Sequence, residues 1–205
     1  MHISDGILSV PIWLGSYIVT AGIVAATTRK MDSQDVPKLS VVTSVFFVAS
    51  LIHIPIGLTT IHLILNGLVG IILGPMAFVS IFMGLVLQAL LFQHGGITTI
   101  GANFIIMAIP AFLAYKIFNL QKRFNFRYNE AIFGAIAGVC GIFLGAIILA
   151  ILLVTTGSEF IGIAKLVLLA HIPIMIIEGV ICASTILFLV KVKPEILIPI
   201  KKPLS

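Results

Sequence analysis

Met1 and His2 bring three nitrogens to one spot: the chain's own amine, the His2 backbone amide and the His2 imidazole Nδ1. Amine and amide close a five-membered ring around a metal ion, and amide and Nδ1 close a six-membered ring. The three donors therefore lie in one plane with no fold needed to position them. A planar nitrogen set of this kind suits Ni(II) or Cu(II) and accommodates Co(II). In the better-known amino-terminal copper and nickel motif a His at position 3 supplies the fourth nitrogen. With His at position 2, another part of the chain must do so. The plain alternative is an exposed polar residue after the start Met, and spacing alone leaves both readings open.

His62 is a natural fourth ligand, because Thr59-Thr60-Ile61-His62 directly follows the bend Ile54-Pro55-Ile56-Gly57. Neutral imidazole is the commonest protein ligand for such metals. His53 lies on the other side of the same bend, and spacing does not rank the two. His94, in Gln93-His94-Gly95-Gly96, reads as an exposed loop residue rather than a ligand. His171 and Glu178 are seven residues apart, on one helical face about two turns from each other. Ionisable groups inside a membrane are functional candidates, and this pair could serve a proton relay or a cation path. A buried hydrogen-bonding set that locks the last helix is the preferred reading. Asn66, Gln88 and Asn103 could complete an interior polar network or orient the ligating imidazoles.

The elements that must position these groups are membrane helices. The 205 residues are 60% hydrophobic and 9% charged, with a mean hydropathy of +1.25. A soluble domain runs near ~45–50% apolar and ~25% charged. The composition implies an all-α polytopic membrane protein, one domain over 1–205 set in a lipid bilayer, and it excludes ordinary nucleic-acid binding. Seven windows approach the ~20 apolar residues that a bilayer requires. They are Leu8–Thr28, Leu39–Leu58, Thr59–Leu73, Pro75–Gln93, Thr99–Phe118, Ala131–Thr155 and Ile161–Val190. The third and fourth could merge, since Leu63 to Phe92 holds no ionisable residue. A turn at Gly74-Pro75 instead puts Arg29, Lys30, Lys38, Lys116, Lys122, Arg123, Arg127, Lys191, Lys193, Lys201 and Lys202 on one side, leaving only Lys165 opposite. That asymmetry decides for seven transmembrane helices, with the N-terminus outside and the C-terminus cytoplasmic.

The leading residues carry no Lys or Arg, so the first window is expected to be a span rather than a cleaved signal. A large His at position 2 is expected to protect the initiator Met and leave its amine on the outer face. No Gly-x-x-x-x-Gly-Lys-Ser/Thr phosphate loop occurs, so the chain itself is not expected to hydrolyse ATP or to be an enzyme. No internal repeat is evident. Cys140 and Cys182, within long apolar runs, read as small packing residues. Ala21-xxx-Ala25 and Gly134, Gly138, Gly141 and Gly145 present small faces for close helix approach, with internal packing the default.

Taken together these residues form a signature. The opening Met1-His2-Ile3-Ser4-Asp5-Gly6-Ile7-Leu8 resembles the amino terminus of the cobalt/nickel substrate-capture subunits of energy-coupling-factor (ECF) transporters, the CbiM/NikM family. The likeness continues through Thr60-Ile61-His62-Leu63, Asn66-Gly67, Leu73-Gly74-Pro75, Leu87-Gln88-Ala89-Leu90-Leu91-Phe92, Gly95-Gly96-Ile97-Thr98, Gly101-Ala102-Asn103, His171-Ile172-Pro173 and Glu178-Gly179. The resemblance implies metal ligation by Met1, His2 and His62, and so ranks His62 above His53. It implies seven helices, the extra first one carrying the metal-binding end, in the cell membrane of a prokaryote. It also implies three kinds of partner: a transmembrane coupling subunit, a pair of cytoplasmic ATPases and a small accessory membrane protein. The cargo would be Co(II) or Ni(II), with no resident cofactor. Two positions depart from the pattern. His53 stands where relatives usually have a nonbasic residue, and His94 replaces what is often an acidic one. Either would tune the metal or its way in.

Two rivals remain from other classes. A proton-coupled carrier or channel built on His171 and Glu178 would work alone and ignore the terminal amine. A membrane enzyme with His62 and His53 on a hydrolytic zinc would want a further ligand and a general base, and no His-Glu-x-x-His pattern exists here.

Overall fold

A computed structural model describes residues 2–51, 53–56 and 59–197, with backbone alone for 53–56 and 59–61. Strand β1 (His2–Ile3) precedes helix α1 (Val10–Thr28), whose first turn holds Pro11, a residue with no amide hydrogen to leave unpaired there. Helix α2 (Val36–Ala49) follows a turn in which the Asp32 and Asp35 carboxylates cap each other's backbone. Strands β2 (His53–Ile56) and β3 (Thr59–His62) come next. Then follow α3 (Asn66–Leu73), a tight turn Gly74–Met76, α4 (Ala77–Phe92), α5 (Ile100–Asn119), α6 (Asn129–Thr156) and α7 (Ile161–Val192).

The expected window Leu39–Leu58 is therefore a helix only as far as Ala49, and Thr59–Leu73 begins as a strand rather than a helix. Pro55 lacks the amide hydrogen a helix needs and biases Ile54 away from helical angles. Ile54, Ile56, Thr59, Thr60 and Ile61 are β-branched and favour extended backbone. Hydropathy is blind to this difference, because a short apolar run suits a strand or a helix equally. The three strands form one antiparallel sheet in the order β1-β3-β2, with His2 opposite Thr60 and His53 opposite His62.

Five segments are long and apolar enough to cross a membrane: Val10–Thr28, Asn66–Phe92, Ile97–Arg123, Asn129–Thr156 and Ser158–Val192. Helix α2, at 14 residues, is about 21 Å long and shorter than the ~30 Å hydrocarbon core. The segment Asn66–Phe92 is not one straight rod. It breaks at Gly74, where φ is 57°, and returns so that Gln88 reaches the same end of the molecule as His62.

Seven of the eight residues of α3 are buried, and this short helix is the centre of the bundle. A Cβ added at Gly67 would lie 2.5 Å from the Gly138 backbone of α6, and one at Gly70 would run into the Ala111 carbonyl of α5. Helices in lipid associate through such close backbone approach, because lipid offers no hydrophobic drive between them. Gly134 and Gly138 likewise face Ile186 and Cys182 of α7, so the small face of α6 packs internally. Cys182 is fully buried and Cys140 partly so, and both are free thiols.

Candidate metal-capture site

The sheet and two loops build the site at one end of the bundle. Strand β1 is only two residues long, so its position needs help from side chains. Asn103 near the start of α5 supplies it by imitating a peptide: Oδ1 accepts from the Ile3 amide at 2.8 Å and Nδ2 donates to the Ile3 carbonyl at 3.1 Å. Asp5 adds a second tie, accepting from the Thr98 amide at 3.0 Å and its hydroxyl at 2.6 Å. Gly95 and Gly96, with φ of 79° and 116°, let loop 93–96 lie close over this strand. A Cβ at Gly95 would stand 2.6 Å from Asn103 Nδ2, and one at Gly96 would collide with the Asp5 carboxylate.

His2 and His62 are both buried, at 2% and 3% exposure, and their rings stack with centroids 4.9 Å apart. His2 Nδ1 and His62 Nε2 face each other at 3.1 Å. Their protonation follows from the bonds around them. The Ser50 hydroxyl donates to the Phe47 carbonyl at 2.6 Å, and Gln88 Nε2 donates to Ser50 Oγ at 2.8 Å. Gln88 thus turns its Oε1 toward His2, where it accepts from Nε2 at 2.8 Å, and His2 keeps no proton on Nδ1. His62 Nδ1 lies 2.8 Å from the Leu63 carbonyl, which can only accept, so the proton of His62 is on Nδ1 and not on Nε2. Burial foremost, and the neighbouring His2 ring with it, hold the His62 imidazole well below its ordinary range. With these tautomers His2 Nδ1 and His62 Nε2 each turn a lone pair toward one point. Two nitrogens about 2.0–2.1 Å from one metal and at right angles to each other stand about 2.9 Å apart, close to the spacing seen here.

The structure thus brings His2 and His62 together. Met1 lies outside the described residues. His53 is placed by its backbone alone, paired with His62. His94 departs from its expected role as an exposed loop residue: it is half-buried, its ring centroid is 6.4 Å from that of His2, and its amide donates to the Gln88 carbonyl. Among the described residues no three His, Cys, Asp or Glu side chains are grouped so as to hold a metal by themselves.

Glu178 and His171 are buried in α7 and do not bond to each other. Glu178 Oε1 accepts from the amides of Ile64 and Leu65, both at 2.6 Å, and caps the start of α3 from another helix. These bonds hold Leu65 in a left-handed conformation, φ 59°, that is uncommon for such a side chain. His171 Nδ1 bonds the Val167 carbonyl of its own helix. Asn66 is buried with neither side-chain atom hydrogen-bonded among the described residues. Sequence reasoning flagged Gln88 and Asn103 as candidate orienting groups. It missed Ser50 and the reach of Glu178 to the His62 segment, since both depend on contacts between distant parts of the chain.

Residues 2–196 match a family model described as the cobalt uptake substrate-specific transmembrane region, CbiM. A putative metal transport protein of Haemophilus influenzae is 34% identical, covering 96% of this chain and 97% of its own. A putative fused nickel transport protein, NikMN, of Archaeoglobus fulgidus is 31% identical, covering 96% of this chain and 68% of its own. The crystal structure of a truncated transition metal transporter superposes with a TM-score of 0.75 at 28% identity, over 93% of this chain and 99% of that one. With its apolar helices, the chain is a multi-pass membrane protein of a prokaryote. The match over nearly its whole length shows that it belongs to the CbiM/NikM family of cobalt and nickel transport components.

Proposed function

We propose that this chain captures Co(II) or Ni(II) at the outer face of the membrane and serves as the substrate-specific component of an ECF transporter. The ligands are the Met1 amine, the backbone amide and Nδ1 of His2, and Nε2 of His62. The observation that carries this reading is the convergence of His2 Nδ1 and His62 Nε2 at 3.1 Å, with the other nitrogen of each ring tied to an acceptor. Fixing the outer nitrogen of a ligating His is how proteins set its tautomer and aim its lone pair. A four-nitrogen plane favours Ni(II) and disfavours Mg(II) and Ca(II), which prefer oxygen donors.

In this reading residues 1–205 form one metal-capture domain of seven transmembrane helices, N-terminus outside and C-terminus in the cytoplasm. Helix α2 completes its crossing through the strands that cap its outer end. The chain holds and releases cargo, and its partners supply ATP hydrolysis: a transmembrane coupling subunit, two cytoplasmic ATPases and a small accessory membrane subunit. The fused architecture of the Archaeoglobus relative supports such partnership, since this chain spans 68% of it.

The test is binding of Ni(II) and Co(II) to purified protein, by calorimetry and absorption spectroscopy, comparing the chain with one carrying a single Ala before Met1. That addition leaves every side chain in place and moves only the amine. The expected outcome is loss of a one-to-one square-planar site. Unchanged binding would remove the terminal amine from the ligand set and return attention to His53, His171 and Glu178.

A further inference from the structure

The half-buried His94 has no part in the ligand set proposed above, yet its position bears on the same site. An imidazole ring centre stands about 3.2 Å from a metal bound to one of its nitrogens. Two imidazoles on one ion therefore have centres from about 4.5 Å apart, at right angles, to about 6.4 Å apart, on opposite sides. His2 and His62, at 4.9 Å, fall near the close end. His2 and His94, at 6.4 Å with rings tilted by 39°, fall at the far limit. That separation is the longest that one ion shared by His2 and His94 allows, and among the described residues His94 does not join His2 and His62 in a single three-imidazole cluster.

The surroundings say what an imidazole at that limit can do. His2 and His62 are buried, so an ion must come to them from water past some rim. The loop that carries His94 borders the pair on one side: Gln93, beside it, is exposed, and a Cβ added at Gly95 would stand 3.4 Å from the His2 ring. Next to it opens a recess of about 550 Å³, lined among others by Ser4, Asp5, Gln93, Gly95 and Gly96, which among the described residues carries the Asp5 carboxylate and no cationic side chain. A cation is drawn into such a concavity rather than repelled. The loop turns through three left-handed residues, Gln93 at φ 54° besides Gly95 and Gly96, and the His94 amide is anchored on the Gln88 carbonyl. Gln88 thus orients His2 with its side chain and holds His94 with its backbone.

We propose that His94 is the receiving ligand of the site, an imidazole at the rim that binds the divalent metal as it sheds water and passes it inward to His2 and His62. This rests on the capture reading given above. A group that binds only along the path lowers the barrier in both directions and leaves the end states alone.

The test is stopped-flow binding of Ni(II) to the purified full chain, with release followed in excess chelator, for the unaltered protein, His94→Asn and His94→Ala. The expected result is that binding and release both slow by about tenfold or more in both variants, while the dissociation constant stays within about threefold. Unchanged rates would overturn the proposal. Faster release with an unchanged binding rate would also overturn it, because His94 would then be a ligand of the resting site. A chain whose Ni(II) binding survives His2→Ala would bring down the capture reading and the receiving role with it, whereas either His94 outcome leaves that reading standing.

Discussion

Gln88 decides which nitrogen of His2 faces His62. Its amide is oriented by a one-way chain of donors, from Gln88 to Ser50 to the Phe47 carbonyl, so the oxygen is left for His2 Nε2. Replacing it by Met, of similar volume, removes the acceptor without opening a large cavity. Ni(II) affinity of Gln88→Met should fall by about 10–100-fold, the usual effect of losing a partner that orients a ligating imidazole. Titration calorimetry checks this, and unchanged affinity would show that the His2 tautomer needs no such support. At this scale the sequence marked Gln88 as a polar group able to orient an imidazole, and its Oε1 is bonded to His2. It singled out His62 only through family resemblance, because a separation of 60 positions from His2 carries no local signal of their meeting. His94 was misread for a related reason. A His in a Gly-rich loop looks exposed until the glycines are seen to fold it back over β1.

Helix α3 is the element on which the rest is assembled, and glycines set its distance from its neighbours. At Gly67 and Gly70 an added side chain meets backbone atoms of α6 and α5, which cannot swing aside. Overpacking a core typically costs about 1–3 kcal/mol, and rigid backbone neighbours place these sites at the upper end. Gly67→Val should therefore lower the thermal midpoint of the detergent-purified protein. Gly22→Val in α1, where an added Cβ would have nothing within 4 Å, should leave it unchanged. Equal midpoints for the two variants would remove α3 from the centre of the fold. The break that makes α3 short was legible as Gly74-Pro75, a residue free to adopt positive φ followed by one that cannot extend the preceding helix. The hairpin before it was hidden, because its apolar residues look to any hydropathy window like more helix.

At the scale of the whole molecule, the His2–His62 pair and most of the basic residues lie at opposite ends. His2, His62, Gln88 and His94 gather at one end. Lys38 lies at the other, where its ammonium bonds the Ile196 carbonyl and a cleft joins it to Gly74, Pro75 and Tyr115. Lys116 follows Tyr115, and Lys191 and Lys193 lie just before Ile196 in the chain, so the basic residues cluster with this second end. Lys and Arg beside membrane helices favour the cytoplasmic side; under the proposed function this puts the His2–His62 end outside, where scarce ions must be collected. A divalent ion then moves inward with the resting potential, a gain of about 4.6 kcal/mol per 100 mV for two charges. The same arrangement turned over would collect metal from the cytoplasm and work against that field. Orientation is open to direct measurement with an impermeant thiol reagent on intact cells, in a background with Cys140 and Cys182 changed to Ala. Gln93→Cys, beside the site, should be labelled from outside, and Gln121→Cys, in the basic loop after α5, only once the membrane is permeabilised. The reverse pattern would put the capture site in the cytoplasm and sink uptake as its purpose, whatever its affinity for nickel or cobalt.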